Sequence, residues 1–323
     1  MNIAQIAKMA GVSSAAVSRY FNNGYISEEK REAIRKVVEE TGYKPSVQAQ
    51  TLRTKKTKMI GVIAPKLASS SLGSVVEGIL SVLNQNGYQM LLAVTQNNSQ
   101  KELEYLESFD NKQVDGVILV ATVFTARHKK ALKNLSVPVV IIGQKFSGYC
   151  CVYHDDYHAM YELTKMVLKK GHTKLGYLSV MLQDKAAGAD RYRGYCDAVC
   201  DLGYQELADN YSVAHFTVQS GYEKAQEMLE KHKDLDGLIC ATDEIAVGAI
   251  EYLKEHNISK LESFMIAGTG DSLLAKVAGH PVATIHYSYE DSGKIAVEML
   301  LETLSSGKAT LQEVMLGYYI VEN

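Results

Sequence analysis

Gly11-Val-Ser-Ser-Ala-Ala-Val-Ser-Arg19 places a tight glycine turn between two short stretches of helical spacing. Before it, Ile3, Ile6, Ala7 and Ala10 recur at helical intervals, and Gly11 ends that turn. After it, Ser13 is a good N-cap for a second helix running to Phe21. Ser27 caps a third helix over 28–41, with Glu28 and Glu29 in its first turn to suit the helix dipole, and Gly42 closes it. Val12 and Val17 can pack under the turn. Ser13, Ser14, Ala15, Ser18 and Arg19 then lie at the start of the second helix, small or polar enough to enter a major groove. Arg19 offers a bidentate fork for guanine, and Ser13 or nearby backbone N–H groups can hold a phosphate. On spacing alone, an ordinary three-helix bundle fits the same residues.

Charge separates this head from the rest. Residues 1–58 carry a net charge of +6 and the remainder −9, within an overall −3. A basic head on an acidic body fits a head that meets phosphates. Pro45 restarts the chain, Ser46 can cap a short helix over 47–53, and Thr54-Lys-Lys-Thr-Lys58 reads as a linker.

From Met59 onward, apolar runs of strand length alternate with amphipathic stretches of helix length. The runs cover 59–64, 89–94, 116–120, 137–142, 175–178, 237–241, 264–267 and 283–286. Ser99-Gln-Lys-Glu102 reads as a capping box opening one of the helices. Strand–helix alternation over this length predicts an α/β fold with parallel sheet, and two doubly wound lobes suit it better than one.

Several function classes are disfavoured. No apolar run reaches the ~18 residues of a membrane helix, and residues 1–10 lack the layout of a signal peptide, so the expected location is cytoplasmic. The five cysteines, Cys150, Cys151, Cys196, Cys200 and Cys240, form no zinc-site spacing and read as reduced, packed thiols. His154, Asp155, Asp156 and His158 imitate a metal cluster but fit a strand end followed by a helix cap. Gly268-x-Gly-x-Ser is a poor dinucleotide fingerprint. No set of nucleophile, base and orienter is recognisable. The expectation is a non-enzyme with no metal and no cofactor.

The run from Ile3 to Asn22, then Ile26-Ser-Glu-Glu-Lys-Arg31, then Gly42-Tyr-Lys-Pro45, resembles the head of the lactose/galactose repressor family of transcription regulators. The resemblance continues through Lys58-Met-Ile-Gly-Val-Ile-Ala-Pro65, Val114-Asp-Gly-Val-Ile-Leu119, Pro138-Val-Val-Ile-Ile142, Gly171-His172, Arg191-x-x-Gly-Tyr195 and Cys240-Ala-Thr-Asp243. It implies a helix-turn-helix head (1–45), a hinge helix and linker (46–58), and a core (59–323) like periplasmic sugar-binding proteins. The core's lobes would be roughly 59–154 plus 288–308, and 155–287 plus 309–323. It also implies a homodimer on a pseudo-palindromic operator, with a sugar or sugar phosphate as effector. Nothing resembling leucine heptads follows 319–323, which argues against a tail-mediated tetramer.

By motif match, the resemblance assigns DNA contact to Ile3, Ser13, Ser14, Ala15, Ser18, Arg19 and Asn22. Ala49 and Leu52 of Pro45-Ser-Val-Gln-Ala-Gln-Thr-Leu52 follow in the hinge, with Leu52 as a wedge between base steps. Ser46 and Gln50 depart from the family's hinge pattern. The candidate effector set is Lys66, Lys145, Arg191, Thr242, Asp243, Gly270, Asp271 and Tyr287, the two lysines entering by their place after strands rather than by motif. Arg191 leads it, although a surface salt bridge also fits that residue, and Asp243 fits a loop-orienting role equally well. Gly143 and Gly270 stand where many members carry an aspartate. Their absence, with Lys66 and Lys145 nearby, points to a phosphorylated sugar, although surface lysines are commonplace. The segments 240–253 and 266–271 and Tyr287-Ser-Tyr-Glu-Asp-Ser-Gly293 look most like the trehalose-operon branch, which implies trehalose 6-phosphate, with sucrose or its phosphate as an alternative. Ligand would close the crevice, part the hinge helices and release DNA; a corepressor sense stays open.

Overall fold

The computed structural model describes residues 1–22, 24–43, 56–66, 69–111, 113–121, 123–204, 207, 210–308 and 310–322. They form two compact units, Met1–Lys58 and Met59–Asn323. The expected hinge helix over 47–53, with Ala49 and Leu52, lies outside the described residues.

The first unit is a three-helix head of α1 (Ile3–Met9), α2 (Ser14–Phe21) and α3 (Glu28–Thr41). Each start follows from a local signal. Asn2 and Gln5 make a reciprocal capping box on α1, and the Ser13 hydroxyl accepts from the Ala16 N–H at 3.2 Å on α2. Ser27 occupies the N-cap of α3 without a side-chain cap bond. Gly42 ends α3 at φ +62°, a left-handed conformation that a side chain would strain. Ile6, Val17 and Ile34, one from each helix, are fully buried and hold the bundle together.

The second unit contains two six-stranded sheets. In the first, β1 (Met59–Ala64), β2 (Gln89–Val94), β3 (Gly116–Val120), β4 (Val139–Ile142), β5 (Cys150–His154) and β11 (Glu313–Leu316) take the order β11-β5-β4-β3-β1-β2, all parallel. The second holds β6 (Leu175–Ser179), β7 (Tyr211–Val213), β8 (Gly237–Cys240), β9 (Met265–Thr269), β10 (Ala283–Tyr287) and β12 (Tyr318–Glu322) in the order β12-β10-β9-β8-β6-β7. Only β12 runs antiparallel, against β10.

The helices α4 (Ser70–Gln85), α5 (Ser99–Asp110) and α6 (Ala126–Asn134) connect the first sheet. The second is wrapped by α7 (Asp156–Lys169), a π-helical turn (Lys185–Asp190), α8 (Arg191–Asp201), α9 (Val218–Lys231), α10 (Asp243–His256), α11 (Ile258–Leu261) and α12 (Leu273–Lys276). Continuous apolar runs such as Gly237–Cys240, buried at every position, are what a strand covered on both faces requires. Each fully buried aliphatic side chain there contributes roughly 1.5–3 kcal/mol. Helix α13 (Tyr289–Ser306) returns to the first sheet and packs on α4. Two glycines permit that approach: a Cβ at Gly78 would lie 2.0 Å from the Glu290 carbonyl oxygen, and one at Gly293 2.2 Å from that of Val75.

The chain passes between the sheets three times, at 154–156, 287–289 and 316–318. The last passage corrects the expectation that 309–323 joins the second lobe as a block. Glu313–Leu316 pairs with β5 of the first sheet, and only Tyr318–Glu322 reaches the second. A second correction concerns α5: its N-cap is Asn98, whose side chain accepts from Gln100 and Lys101 N–H, not Ser99. Glu102 is thereby freed from capping and is buried against His128 Nε2 at 3.2 Å. Among the described residues no helix is long and apolar enough to cross a membrane.

Candidate DNA-reading face and effector crevice

In the head, Ser14, Ala15 and Arg19 are exposed on α2. The i,i+4 steps 14–18, 15–19 and 18–22 bring them onto one face with Ser18 and Asn22. Asn22 turns its amide back to the Ser18 carbonyl, which closes the end of α2. Ser13 is committed to the cap, and Ile3 is half-buried against the head core. Tyr25, nearly fully exposed in the turn before α3, was not singled out from sequence.

In the core, a crevice runs between the two sheets at the carboxyl ends of their strands, where open α/β folds place ligands. Arg191, the first residue of α8, sits in it and is buried. Its Nε donates to Asp156 Oδ1 at 2.7 Å, and its Nη1 donates to the Ala241 carbonyl and to Thr269 Oγ1, both at 2.5 Å. The guanidinium carbon lies 5.3 Å from the Tyr287 ring centroid. Burial works against the charge, but Asp156 outweighs it and holds the proton on Arg191 far above physiological pH. Asp156 in turn opens α7, where the dipole favours an anion. The arginine is a buried, paired charge in the crevice wall rather than a surface salt bridge.

The other expected effector residues divide. Lys66, Thr242 and Gly270 line the crevice with Arg191, whereas Lys145, Asp243, Asp271 and Tyr287 do not. Lys66 Nζ donates across it to the Phe216 carbonyl at 3.0 Å and lies over that ring, so a residue following β1 touches a loop of the other lobe. Thr242 caps α10. Lys145 is held at 2.7 Å by Glu313 of β11 and is half-exposed. Asp243 is fully buried, accepting from the Ser272 N–H and from Thr284 Oγ1, each at 2.7 Å, which fixes the loop after β9. Asp271, at φ +46°, is bound by His286 and Lys276, both at 2.8 Å; burial would raise its pKa, but these two partners outweigh it and hold the carboxyl below its ordinary value. Tyr287 lies beneath Arg191, fully buried.

Backbone shape explains the two missing aspartates. Gly143 has φ +96° and Gly270 φ +134°, and a Cβ at Gly270 would come within 3.3 Å of Asp243 Oδ2. A side chain at either position is strained.

Sequence reading missed other crevice residues: Ser69, Ser70 and Ser71 at the start of α4, then Asp184, Phe216 and Glu244. The Ser69 hydroxyl meets that of Ser71 at 2.7 Å instead of capping α4. Asp184 caps the π-helical turn through the Ala187 N–H at 3.0 Å, and burial pushes its carboxyl up to about 6 against that bond and Arg191. The available signal was position: each of these residues follows the carboxyl end of a strand. His154 and Asp156 read from sequence as a strand end and helix cap that imitate a metal cluster, not as crevice residues. His154 ends β5, Asp155 caps α7, and among the described residues no group of three or more His, Cys, Asp or Glu is placed to hold a metal ion.

Comparison with known proteins agrees with this architecture. Residues 2–46 match the bacterial regulatory proteins of the lacI family, and residues 57–316 match the periplasmic binding proteins and sugar binding domain of the LacI family. The chain is similar to the sucrose operon repressor of Staphylococcus xylosus, 32% identical over 93% of this chain and 92% of that protein. It is also similar to the transcriptional regulator TreR of Escherichia coli (strain K12), 27% identical over 98% and 97%. Among solved structures, the lac repressor dimer bound to operator and the anti-inducer ONPF has a TM-score of 0.89 at 20% identity, covering 99% of this chain and 97% of that one. A transcriptional regulator CelR–cellobiose complex has a TM-score of 0.75 at 22% identity, covering 100% and 99%. At those identities the two structures speak for the fold alone. With a head and a core that both match, the chain belongs to the LacI family of DNA-binding bacterial transcription regulators.

Proposed function

We propose that this regulator is a cytoplasmic repressor of a sugar-utilisation operon, bound as a homodimer to a pseudo-palindromic operator and released by a disaccharide in the interlobe crevice. The observation that carries the reading is the buried Arg191–Asp156 pair at a crevice rich in hydroxyl and carboxylate groups. Such a lining hydrogen-bonds sugar hydroxyls in place of water. The sucrose operon repressor among its relatives supports a disaccharide.

In this reading α2 enters the major groove with Ser14, Ala15, Ser18, Arg19 and Asn22 toward the bases, Ile3 at the groove edge and Ser13 near a phosphate. Ala49 and Leu52 belong to the hinge, with Leu52 as the wedge between base steps. In the core, Arg191 and Thr242 contact the sugar, with Gly270 leaving room. Asp243, Asp271 and Tyr287 support the wall behind them, and Lys145 takes no direct part. Exposed Leu273 and Val277 of the second lobe supply an apolar surface for the dimer partner.

The crevice favours an uncharged disaccharide such as sucrose. Its lining holds Asp156, Asp184 and Glu244 against Lys66 and Arg191, and Arg191 is already neutralised. One observation favours a phosphorylated ligand such as trehalose 6-phosphate: Lys66 lies by the start of α4, whose first N–H groups lack a side-chain cap. A thermal-shift screen of sucrose, trehalose and cellobiose with their 6-phosphates separates the two. Stabilisation by a free disaccharide supports the first, stabilisation by a 6-phosphate alone supports the second, and no stabilisation by any of them defeats the sugar reading.

A further inference from the structure

The passage from β5 to α7 carries a histidine with an unusual account of hydrogen bonds. His154 is nine-tenths buried, lines the crevice, and its Nε2 has no hydrogen-bond partner among the described residues. The ring packs against Tyr287 at 4.8 Å and Tyr289 at 5.1 Å between centroids. Those tyrosines flank the second passage between the lobes, so the imidazole touches two of the three passages at once. A buried polar nitrogen without a partner is costly, and on a residue that lines the crevice it can be satisfied by a group that ligand brings.

We infer that His154 Nε2 accepts a hydrogen bond from one hydroxyl of the bound disaccharide, making this residue a specificity determinant that reports occupancy directly to the lobe crossings. The inference rests on the disaccharide reading above. In the neutral ring with its proton on Nδ1, Nε2 offers a lone pair. A sugar hydroxyl can donate to it, whereas a fully ionised phosphate cannot. Any phosphate therefore belongs at the Lys66 end of the crevice, and a free sugar ring at the His154 end.

The groups facing the ring are Asp156, Arg191, His286, Tyr287 and Tyr289. Burial lowers the histidine's pKa; Arg191 and His286 act in the same sense, and Asp156 opposes them. The ring is thus neutral at pH 7. Protonation would replace the acceptor by a donor and set a second cation beside Arg191, so sugar affinity falls as pH drops. Asp184 also lines the crevice and titrates near 6, so this arm needs an Asp184→Asn background.

The test is calorimetric titration of the full chain with sucrose, with trehalose and cellobiose run in parallel. His154→Phe keeps the ring packing and removes the acceptor, and His154→Gln restores an acceptor that does not titrate. Loss of one hydrogen bond predicts about tenfold weaker binding for the phenylalanine variant at unchanged melting temperature. The glutamine variant should stay within about threefold of the parent. In the Asp184→Asn background, affinity should hold near neutral pH and fall only below the ordinary histidine range with His154 present, and stay level throughout with His154→Gln. Sugar binding undiminished by His154→Phe overturns the inference alone. Failure of all three sugars to bind the unsubstituted chain overturns the disaccharide reading and this inference with it.

Discussion

Replacing Arg191 by methionine removes the cation from a buried pair and strands Asp156. Three contacts go with it: the 2.7 Å bond to Asp156 and the two 2.5 Å bonds to Ala241 and Thr269. Stranding one partner of a buried ion pair costs about 3–5 kcal/mol. Against a total stability of roughly 5–15 kcal/mol, that is a large fraction of what holds the core together. The double variant Arg191→Met with Asp156→Leu replaces both charges by apolar bulk, which is often close to neutral, and should recover most of the loss. Sugar binding should stay absent in both, because the ligand-facing guanidinium is gone from each. The chain has no tryptophan and 20 tyrosines, so urea unfolding can be followed by tyrosine fluorescence, with calorimetry for the sugar. A single variant as stable as the parent, or a double variant that still binds sugar, would refute the placement of Arg191 at the centre of the crevice.

Other perturbations probe separate parts of the account. The folded-state pKa of Asp184 is about 6 against an ordinary 3.8, so folding penalises its ionised form: the penalty is full above about 6 and gone below about 4. Asp184→Asn keeps the cap and should stabilise the fold by up to about 3 kcal/mol at pH 8 and by nothing at pH 4; a pH-independent change in unfolding free energy would contradict this. Leu273→Asp with Val277→Asp should shift the chain to monomer in analytical ultracentrifugation, while an unchanged dimer would move the interface elsewhere. Arg19→Ala should weaken operator binding by about 1–3 kcal/mol and relax specificity at one base pair, read by anisotropy on operator variants.

Much of this fold can be read from the chain because local and global signals agree. The bounds 28–41 for α3 coincide with its acidic first turn and the glycine after it. The parallel strands stand out because burial on both faces makes them unbroken apolar runs. β11 and β12 escape that reading: their burial alternates between partial and exposed, and their pairing is set by a passage between lobes rather than by composition. The π-helical turn before Arg191 has no sequence signature either, yet it positions the buried arginine and Asp184. Within the crevice, Arg191 and Thr242 were legible through motif matches. Lys145 misled, because charge near a strand end says nothing about a partner such as Glu313 more than 150 residues away. His154 was visible only as a strand end that imitates a metal ligand, since the lack of a partner for its buried Nε2 among the described residues is a property of packing.

The central claim is that occupancy of the core crevice sets the DNA affinity of the head. The direct measurement is fluorescence anisotropy of the full chain on an operator fragment, titrated at fixed salt with and without the disaccharide that stabilises it. The account predicts operator affinity lowered by sugar ~5–150-fold, a coupling of roughly 1–3 kcal/mol. Operator affinity that stays the same at saturating sugar, or that rises, would contradict it.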